Sequence, residues 1–352
     1  MDGMRIGILT GGGDCPGLNA VIRAVVVAGA VLHEDSAVGF LDGWKGAIER
    51  RAVDLDPERC RGILTRGGTI LGSSRTNPFA TGDGADRVLA AVDALGIDTL
   101  VAIGGDDTLG AAARLYQMGL PVVGVPKTID NDLSGTEVTF GFDTAVQIAT
   151  EAIDRLQTTA ESHHRVMVCE VMGRNVGHIA VHAGMAGGAA EILIPEVPFS
   201  IDAVCDRLVH RHSGGRFFST VVVAEGAHPR DDGPASGNGT SSSGTAVDQF
   251  GHARLGGIGS YLASEIERHT GFEARATVLG HIQRGGTPTA YDRVLATRFG
   301  AEALAAVHDG AFGTMVALNS GRIDRIPLSD ATGTPKTVDL RLYREVAGPY
   351  LG

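Results

Sequence analysis

The sequence predicts an α/β protein with mainly parallel sheets in two layered domains. Short β-branched runs alternate with longer amphipathic runs along most of the 352 residues, which is the pattern of strands joined by right-handed crossover helices. Several strand candidates are apolar at consecutive positions, as expected for strands that are buried on both faces of a parallel sheet. At about 100–200 residues per domain, this length accommodates two domains, each with its own core.

The individual elements follow from this alternation. In chain order, the strand candidates are Arg5–Leu9, Thr99–Ile103, Pro121–Val125, Arg165–Val171, Glu191–Ile194, Phe217–Val223, Ala274–Leu279 and Thr314–Leu318. The clearest helix covers residues 143–161, because its apolar residues recur on one helical face. Further helices are expected at Asn19–Leu32, Asp86–Leu95, Asp107–Met118, Asp202–Arg211, Gly259–Arg268 and Asp292–His308.

One segment departs from the alternation. Residues 229–247 contain runs of Gly and Ser and almost nothing apolar to bury. This composition predicts a flexible surface insert. A regulatory or partner-binding insert is the alternative.

Composition excludes several classes of protein. With 30 Lys+Arg against 41 Asp+Glu, the formal net charge is −11, whereas a broad nucleic-acid surface needs a basic face. No apolar run approaches the roughly 18 residues of a membrane span, and no signal peptide is visible at the start. The four cysteines are scattered without paired spacing, which favours reduced thiols in a cytoplasmic protein. The 51 glycines then indicate many turns that depend on backbone conformation.

Three loops that follow strand candidates carry Gly and Asp. They are residues 10–19, 104–108 and 126–132. Since open α/β sheets bind ligands at the carboxyl ends of their strands, these loops are expected to line one site. A Gly-rich turn before a helix lets backbone N–H groups approach a phosphate, although a tight turn without a ligand fits the first loop as well.

Four acids in these loops, together with Lys127, are expected to converge. The acids are Asp106, Asp107, Asp130 and Asp132. Such a cluster repels itself unless a cation joins it, and Mg²⁺ with a phosphorylated ligand is the natural occupant. For Asp107 alone, a helix N-cap is an equal alternative. Three further loops, at residues 67–75, 172–175 and 280–286, place Arg beside Gly after strands, which suits phosphate binding.

Taken together, these stretches resemble the phosphofructokinase family from Arg5 to about Ala305. The matching stretches are Gly11–Asp14, Gly68-Thr69, Gly72–Arg75, Gly104–Asp106, Thr128–Asp132, Met172–Arg174, Glu225-Gly226 and Gly280–Gly286. The resemblance implies two Rossmann-like three-layer α/β/α domains with the active site in the cleft between them. Residues 1–142 plus about 258–305 are then the phosphoryl-donor domain, and about 143–257 plus 306–352 the fructose 6-phosphate domain.

The resemblance also implies roles for individual residues. Asp130 matches the general base that takes the proton of the sugar 1-hydroxyl, and Asp106 matches the Mg²⁺-associated carboxylate. Gly12 and Arg75 match contacts to the phosphoryl donor. The contacts to fructose 6-phosphate match Thr128, Asp132, Met172, Gly173, Arg174, Glu225, His281 and Arg284. Arg165 and Arg275 match arginines that reach the sugar 6-phosphate from a neighbouring subunit, which implies a homodimer or homotetramer.

Asp107 bears on the identity of the donor. ATP-using members have Gly at this position, where a carboxylate fills the space of the α-phosphate and repels it. At an effective dielectric of about 20, like charges roughly 4 Å apart cost about 4 kcal/mol. Asp107 together with Lys127, which can supply transition-state charge, is similar to the pyrophosphate-dependent signature, so pyrophosphate and fructose 6-phosphate are the expected substrates.

Alternatives remain open at this point. An ATP-dependent 6-phosphofructokinase is the first, because Lys127 also occurs in some ATP-dependent members. A non-catalytic sugar-phosphate sensor would have no need of Asp130. A dinucleotide-binding dehydrogenase would need an acidic residue for the ribose at the end of the next strand, where this chain has Gly39–Leu41. In the allosteric bacterial members that this chain resembles, a second Arg follows the first by one turn and helps to bind the effector. Here Val27 stands one turn after Arg23, so the resemblance implies non-allosteric behaviour.

Overall fold

Two structural units divide the part of the chain that the computed structural model describes, residues 3–230 and 256–348. The first unit contains residues 3–144 and 284–335, and the second contains residues 145–230, 256–283 and 336–348. The expected flexible insert at 229–247 lies outside the described residues except for its first two positions.

Strands and helices alternate through both units. The strands are β1 Arg5–Thr10, β2 Ser36–Phe40, β3 Ala52–Leu55, β4 Thr99–Gly104, β5 Val122–Pro126, β6 Val166–Val171, β7 Glu191–Leu193, β8 Ser219–Ala224, β9 Ala274–Val278, β10 Thr314–Asn319 and β11 Arg322–Pro327. The helices are α1 Leu18–Leu32, α2 Trp44–Glu49, α3 Gly84–Ala94, α4 Asp106–Gln117, α5 Phe142–His163, α6 His178–Ala186, α7 Ile201–Ser213, α8 Ile258–Thr270, α9 Ala290–His308 and α10 Leu328–Ala331. Helical turns also form at Ile63–Thr65, Gly280–Arg284 and Leu342–Ala347.

The first unit is built on a seven-stranded sheet in the order β11-β10-β5-β4-β1-β2-β3. Neighbouring strands from β10 to β2 run parallel, and β3 and β11 close the two edges as antiparallel strands. One face carries a core that includes Phe40, Trp44 and Leu109, and α1 and α9 contact each other in the same unit. Every residue of β4 and β5 is buried, as expected for strands covered on both faces.

The second unit contains a four-stranded sheet in the order β7-β8-β6-β9, and all of its pairings are parallel. Its main core joins the sheet to α7 and α8 through residues such as Val204, Leu208, Leu262 and Ile266. Helix α6 contacts β7 and β8. The predicted α/β class with mainly parallel sheets is therefore confirmed.

The predicted boundaries of the two domains differ from the observed units in the second half of the chain. Residues 258–283 were expected with the first domain, but α8 packs against β6 and β9 pairs with β6, so they belong to the second unit. Residues 306–335 were expected with the second domain, but β10 pairs with β5, so they belong to the first unit.

The cysteines and the helix lengths bear on two further predictions. All four cysteines are free and buried, in agreement with reduced thiols. Within residues 3–230 and 256–348, every helix is too short or too polar to cross a membrane.

Candidate active site

Three neighbouring strands of the first unit end at one edge of its sheet. Strands β1, β4 and β5 are adjacent and parallel, so the three loops that follow them start side by side. Backbone hydrogen bonds join these loops to the strands: Gly11 N–H donates to the Ile103 carbonyl and Lys127 N–H to the Gly104 carbonyl, both at 2.9 Å. The three loops therefore begin at one edge of the sheet, where the sequence predicts them.

The Gly-rich loop after β1 is held by the loop that precedes Arg75. Gly12 adopts a left-handed backbone conformation with φ +78°, which favours glycine. Its N–H donates to the Ser74 carbonyl at 3.0 Å, and the Ser73 hydroxyl donates to the Gly12 carbonyl at 2.5 Å. The two regions predicted to contact a phosphoryl donor are thus tied to each other.

Lys127 places a buried cation at this loop. Its side chain is only 3% exposed, and Nζ donates to the Gly13 carbonyl at 2.5 Å. A Cβ atom at Gly12 would lie 3.4 Å from Nζ, so the ammonium reaches the middle of the loop. Burial lowers the pKa of Lys127, and the nearby charge of Arg284 adds to this effect. Such a desolvated cation gains much from an anionic ligand.

The two acids after β4 occupy the first turn of α4. The N-cap of this helix is Gly105, without a side-chain cap, and Asp106 and Asp107 are the first two helical residues. The alternative that Asp107 serves as an N-cap is therefore wrong. Both carboxylates lie at the positive end of the helix dipole, and Asp106 Oδ1 accepts a hydrogen bond from Gly333 N–H at 2.8 Å.

The loop after β5 holds the candidate general base. Asp130 N–H donates to the Thr128 hydroxyl at 3.1 Å. Thr139 fixes the loop from outside, because its hydroxyl donates to the Thr128 carbonyl at 2.7 Å and its N–H donates to Asn131 Oδ1 at 3.1 Å. Thr139 did not enter the prediction from sequence, since nothing in its neighbourhood distinguishes it from an ordinary threonine.

The acids fit a Mg²⁺ ion that is bound with a phosphate. Burial raises the pKa of Asp132, and the charge of Asp106 raises it further, so the two carboxylates repel each other across the site. A divalent cation would relieve this repulsion. In the described part of the chain, no three His, Cys, Asp or Glu side chains are arranged to hold a metal, but Mg²⁺ commonly takes only one or two carboxylates and completes its shell with phosphate oxygens and water.

In the second unit, two predicted sugar-phosphate loops are joined by Gln283. This side chain is fully buried; its Oε1 accepts from Met172 N–H at 3.3 Å and its Nε2 donates to the Gly280 carbonyl at 3.1 Å. Gly226 N–H donates to the Gly173 carbonyl at 3.1 Å, which brings the Glu225 loop to the same place. Gln283 lies within a motif that the sequence analysis identified. Its bridging role could not be predicted, because its partner Met172 is 111 residues away along the chain.

The two arginines expected to serve a neighbouring subunit lie beside each other. Arg165 Nε is 2.7 Å from Glu273, and Arg275 is 2.6 Å from the same carboxylate and 2.9 Å from Glu267. The hydrogen bond from Arg165 lowers the pKa of Glu273. Both arginines retain solvent exposure, and His281 is exposed as well.

The predicted residues thus fall into two groups, one in each unit. Those in the first unit are Gly12, Arg75, Asp106, Asp107, Lys127, Thr128, Asp130, Asp132 and Arg284. Those in the second unit are Arg165, Met172, Gly173, Arg174, Glu225, Arg275 and His281. Arg284 approaches the Gly-rich loop, where its Nη1 lies 3.4 Å from the Asp14 carbonyl.

Comparisons with known proteins agree on one family. Residues 5–307 match the phosphofructokinase family. A pyrophosphate–fructose 6-phosphate 1-phosphotransferase of Streptomyces coelicolor is 57% identical over 350 residues, covering 99% of this chain and 100% of the relative. The ATP-dependent 6-phosphofructokinase 3 of the same organism is 54% identical over 342 residues, covering 97% and 98%.

A solved structure extends the agreement to the fold. The pyrophosphate-dependent phosphofructokinase of Nitrosospira multiformis superimposes with a TM-score of 0.83 at 19% identity, covering 99% of this chain and 92% of that one. At this identity the likeness shows a shared fold. Family match, close relatives and fold lead to the same conclusion: the chain belongs to the phosphofructokinase family.

Proposed function

We propose that this chain transfers a phosphoryl group reversibly from pyrophosphate to the 1-hydroxyl of fructose 6-phosphate, giving fructose 1,6-bisphosphate and phosphate. The observation that carries the proposal is the pair formed by Asp107, in the first turn of α4, and Lys127, buried against the Gly-rich loop. The carboxylate excludes an α-phosphate, while the ammonium favours a compact anion. The high identity to a pyrophosphate-dependent relative supports the same choice.

The chemistry assigned to the chain consists of positioning, one proton transfer and charge neutralisation. Asp130 accepts the proton of the 1-hydroxyl as that oxygen attacks phosphorus, a contribution of about 10²–10⁴-fold. Lys127 and the Gly-rich loop hold the oxygens of the transferring group. Asp106, with Asp132 nearby, would hold Mg²⁺, which neutralises charge on the phosphate oxygens when it is bound.

Recognition of the sugar phosphate is assigned to the second group of residues and to Thr128, Asp132 and Arg284. Met172, Gly173 and Arg174 are held in place by Gln283 and the Gly226 turn, so their backbone can orient the substrate. Arg174 and Arg284 supply positive charge for its phosphate, and His281 can donate a hydrogen bond to it. Because Val27 replaces a second arginine in α1, we expect hyperbolic kinetics without effectors.

The donor is tested by assaying fructose 6-phosphate with pyrophosphate and with ATP separately, each with Mg²⁺. We expect turnover with pyrophosphate and little with ATP, and the reverse reaction from fructose 1,6-bisphosphate and phosphate at a comparable rate. Robust turnover with ATP and none with pyrophosphate would overturn the proposal.

The second candidate is an ATP-dependent 6-phosphofructokinase. It is favoured by a relative of that name at 54% identity, only slightly below the pyrophosphate-dependent one. The same two-donor assay decides between them. Loss of turnover with both donors would instead favour a non-catalytic sugar-phosphate sensor.

We further propose a homo-oligomer in which Arg165 and Arg275 reach the site of a neighbouring subunit. Their shared contact with Glu273 supports this proposal, because it holds both guanidinium groups on one exposed surface. Co-expression of Arg275→Ala with Asp130→Asn subunits tests it. Each variant alone is expected to be impaired, whereas mixed oligomers contain sites with an intact base and an intact neighbouring arginine.

The measurement is the turnover of purified mixed oligomers. The control is a mixture of the two separately purified variants under conditions in which they do not exchange subunits. Activity in the mixture well above the average of the two variants is expected. If mixed oligomers form and show only that average, Arg275 acts within its own subunit.

A further inference from the structure

A buried carboxylate on α9 meets the first turn of α5. Asp292 is 0% exposed, and its Oδ2 accepts hydrogen bonds from Thr144 N–H at 2.8 Å and from the Thr144 hydroxyl at 2.5 Å. A backbone hydrogen bond from Gly141 also stabilises its charged form. Asp292 therefore satisfies donors at the start of a helix other than its own.

The contact is reciprocal. Thr289, the N-cap of α9, donates from its hydroxyl to Asp143 Oδ2 at 2.6 Å and from its N–H to the Thr144 hydroxyl at 3.1 Å. The amino ends of α5 and α9 are thus joined by four side chains, which we call the cap cluster: Asp143, Thr144, Thr289 and Asp292. The Thr144 hydroxyl both donates and accepts within it.

The segment held by the cap cluster also carries the loop of the candidate base. Only Gly141 separates Phe140 from the start of α5. Phe140 forms a bridge with Lys127, and Thr139 holds the Thr128 carbonyl and Asn131. Any displacement of the start of α5 is therefore passed to residues on both sides of Asp130 through two consecutive residues.

The cluster is costly for a purely structural device. Burial raises the pKa of Asp292 to about 6, and the neighbouring charge of Asp143 adds to this rise. A buried ionised carboxylate is destabilising relative to a well-packed apolar pair. At neutral pH the folded chain therefore keeps an unfavourable buried charge close to the segment, residues 139–140, that holds the base loop.

We propose that Asp292 is a positioning residue for phosphoryl transfer, which fixes the start of α5 through Thr144 and thereby sets the position of Asp130. The inference rests on the proposed function in that Asp130 acts as the base. It does not depend on the identity of the donor, because the cap cluster acts through residues 139 and 140, which hold the base loop.

The first experiment compares Asp292→Asn with Asp86→Asn. Both residues occupy the third position of their helices, but Asp86 is exposed on α3, so it controls for the loss of a charge near a helix start. Asp292→Asn is expected to lower kcat at least tenfold, since small misplacements of a reacting group cost up to about 100-fold. KM for both substrates should change less than twofold, and Asp86→Asn should behave as wild type.

A second pair of variants keeps the test valid if Asp292→Asn fails to fold. Thr144→Val replaces the hydroxyl, which donates to Asp292 and accepts from Thr289 N–H, with a methyl group, whereas Thr144→Ser keeps the hydroxyl. We expect kcat to fall about threefold to tenfold in the first variant and to recover in the second. Equal activity of the Val and Ser variants would overturn the inference.

The decisive readout is a double-mutant cycle with Asp130→Asn. If Asp292 acts by placing Asp130, Asp292→Asn should reduce kcat less than twofold once the base is absent. The same fold-reduction in both backgrounds would show a general structural role and overturn the inference.

Failure of the proposed function is visible separately. If the wild type uses ATP in place of pyrophosphate, the proposed donor is wrong, but the double-mutant cycle tests the inference equally well with ATP as the donor. Full turnover by Asp130→Asn alone would remove the base assignment, and the inference with it, before any change at position 292 is made.

Discussion

Asp107 is the residue on which the proposed choice of phosphoryl donor depends most. It stands at the second position of α4, beside a neighbouring acid, so an incoming nucleotide would meet two negative charges at the start of the helix. A carboxylate roughly 4 Å from an α-phosphate costs about 4 kcal/mol at an effective dielectric of 20. This is enough to change the preferred donor.

We therefore expect Asp107→Gly to accept ATP, with a KM for ATP at least tenfold lower than that of the wild type and a reduced rate with pyrophosphate. Steady-state kinetics with both donors measures this. Asp86→Gly, in the first turn of α3, controls for the roughly 1 kcal/mol that glycine costs a helix. Unchanged nucleotide affinity in Asp107→Gly would contradict the steric and electrostatic argument.

For single residues, the sequence predicted the side chains expected to contact the substrates. It did not predict the residues that hold those side chains and their loops in place. Lys127 and Asp130 lie in one short segment after β5 that also contains Asp132, a grouping of charged residues that is visible along the chain. Thr139 and Gln283 act on partners that are distant in sequence or are backbone carbonyls. Their roles follow only from the three-dimensional arrangement.

Among the elements, strands buried on both faces were predictable because burial leaves a continuous apolar run, as in β4 and β6. The two antiparallel strands at the edges of the seven-stranded sheet were missed: β11 carries three charged residues and is nowhere fully buried, and β3 has only one fully buried residue. Helix α6 was missed because it is almost entirely apolar or small and shows no polar face. Partly exposed strands such as β3 and β11 and a nearly uniformly apolar helix such as α6 lack the contrast between apolar and polar positions on which periodicity depends.

The turn after β8 is an element whose geometry admits only glycine. A Cβ atom on Gly226 would collide with the Arg174 carbonyl, and the turn is bonded to Gly173. Gly226→Ala should therefore displace residues 173–174 and raise KM for fructose 6-phosphate about tenfold or more, with KM for the donor unchanged.

Initial-rate kinetics with each substrate varied in turn measures this split. Gly214→Ala is the matched control, because Gly214 has φ −76° and no contact below 3.4 Å for an added Cβ. An equal rise of both KM values in Gly226→Ala would indicate a general loss of folding rather than a local displacement.

Across the whole molecule, stability is expected to fall in mild acid. His178 is buried and donates through Nε2 to the Lys336 carbonyl at 3.0 Å, and burial lowers its pKa to about 4. The unfolded chain then binds a proton between pH 6.5 and 4 that the folded chain does not. Stability from this group is complete above pH 6.5 and is lost progressively as the pH falls towards 4.

The expected loss in the free energy of unfolding from this group is about 2 kcal/mol at pH 5. Urea unfolding at pH 7.5 and pH 5 measures it, and His178→Gln, which can still donate to the carbonyl, should lose correspondingly less on acidification. His210→Gln, at an exposed position on α7, serves as the control. An identical pH dependence in wild type and His178→Gln would reject this assignment.

The common edge of β1, β4 and β5 has a consequence for how the family can change. The proposed determinants of donor choice, Asp107, Lys127 and Gly12, all belong to loops of adjacent strands in the first unit, whereas most proposed sugar contacts come from the second. The source of the phosphoryl group and its recipient are then encoded in separate stretches of chain. A few substitutions at one edge of the sheet could therefore change the phosphoryl donor without changing the sugar phosphate that accepts the group.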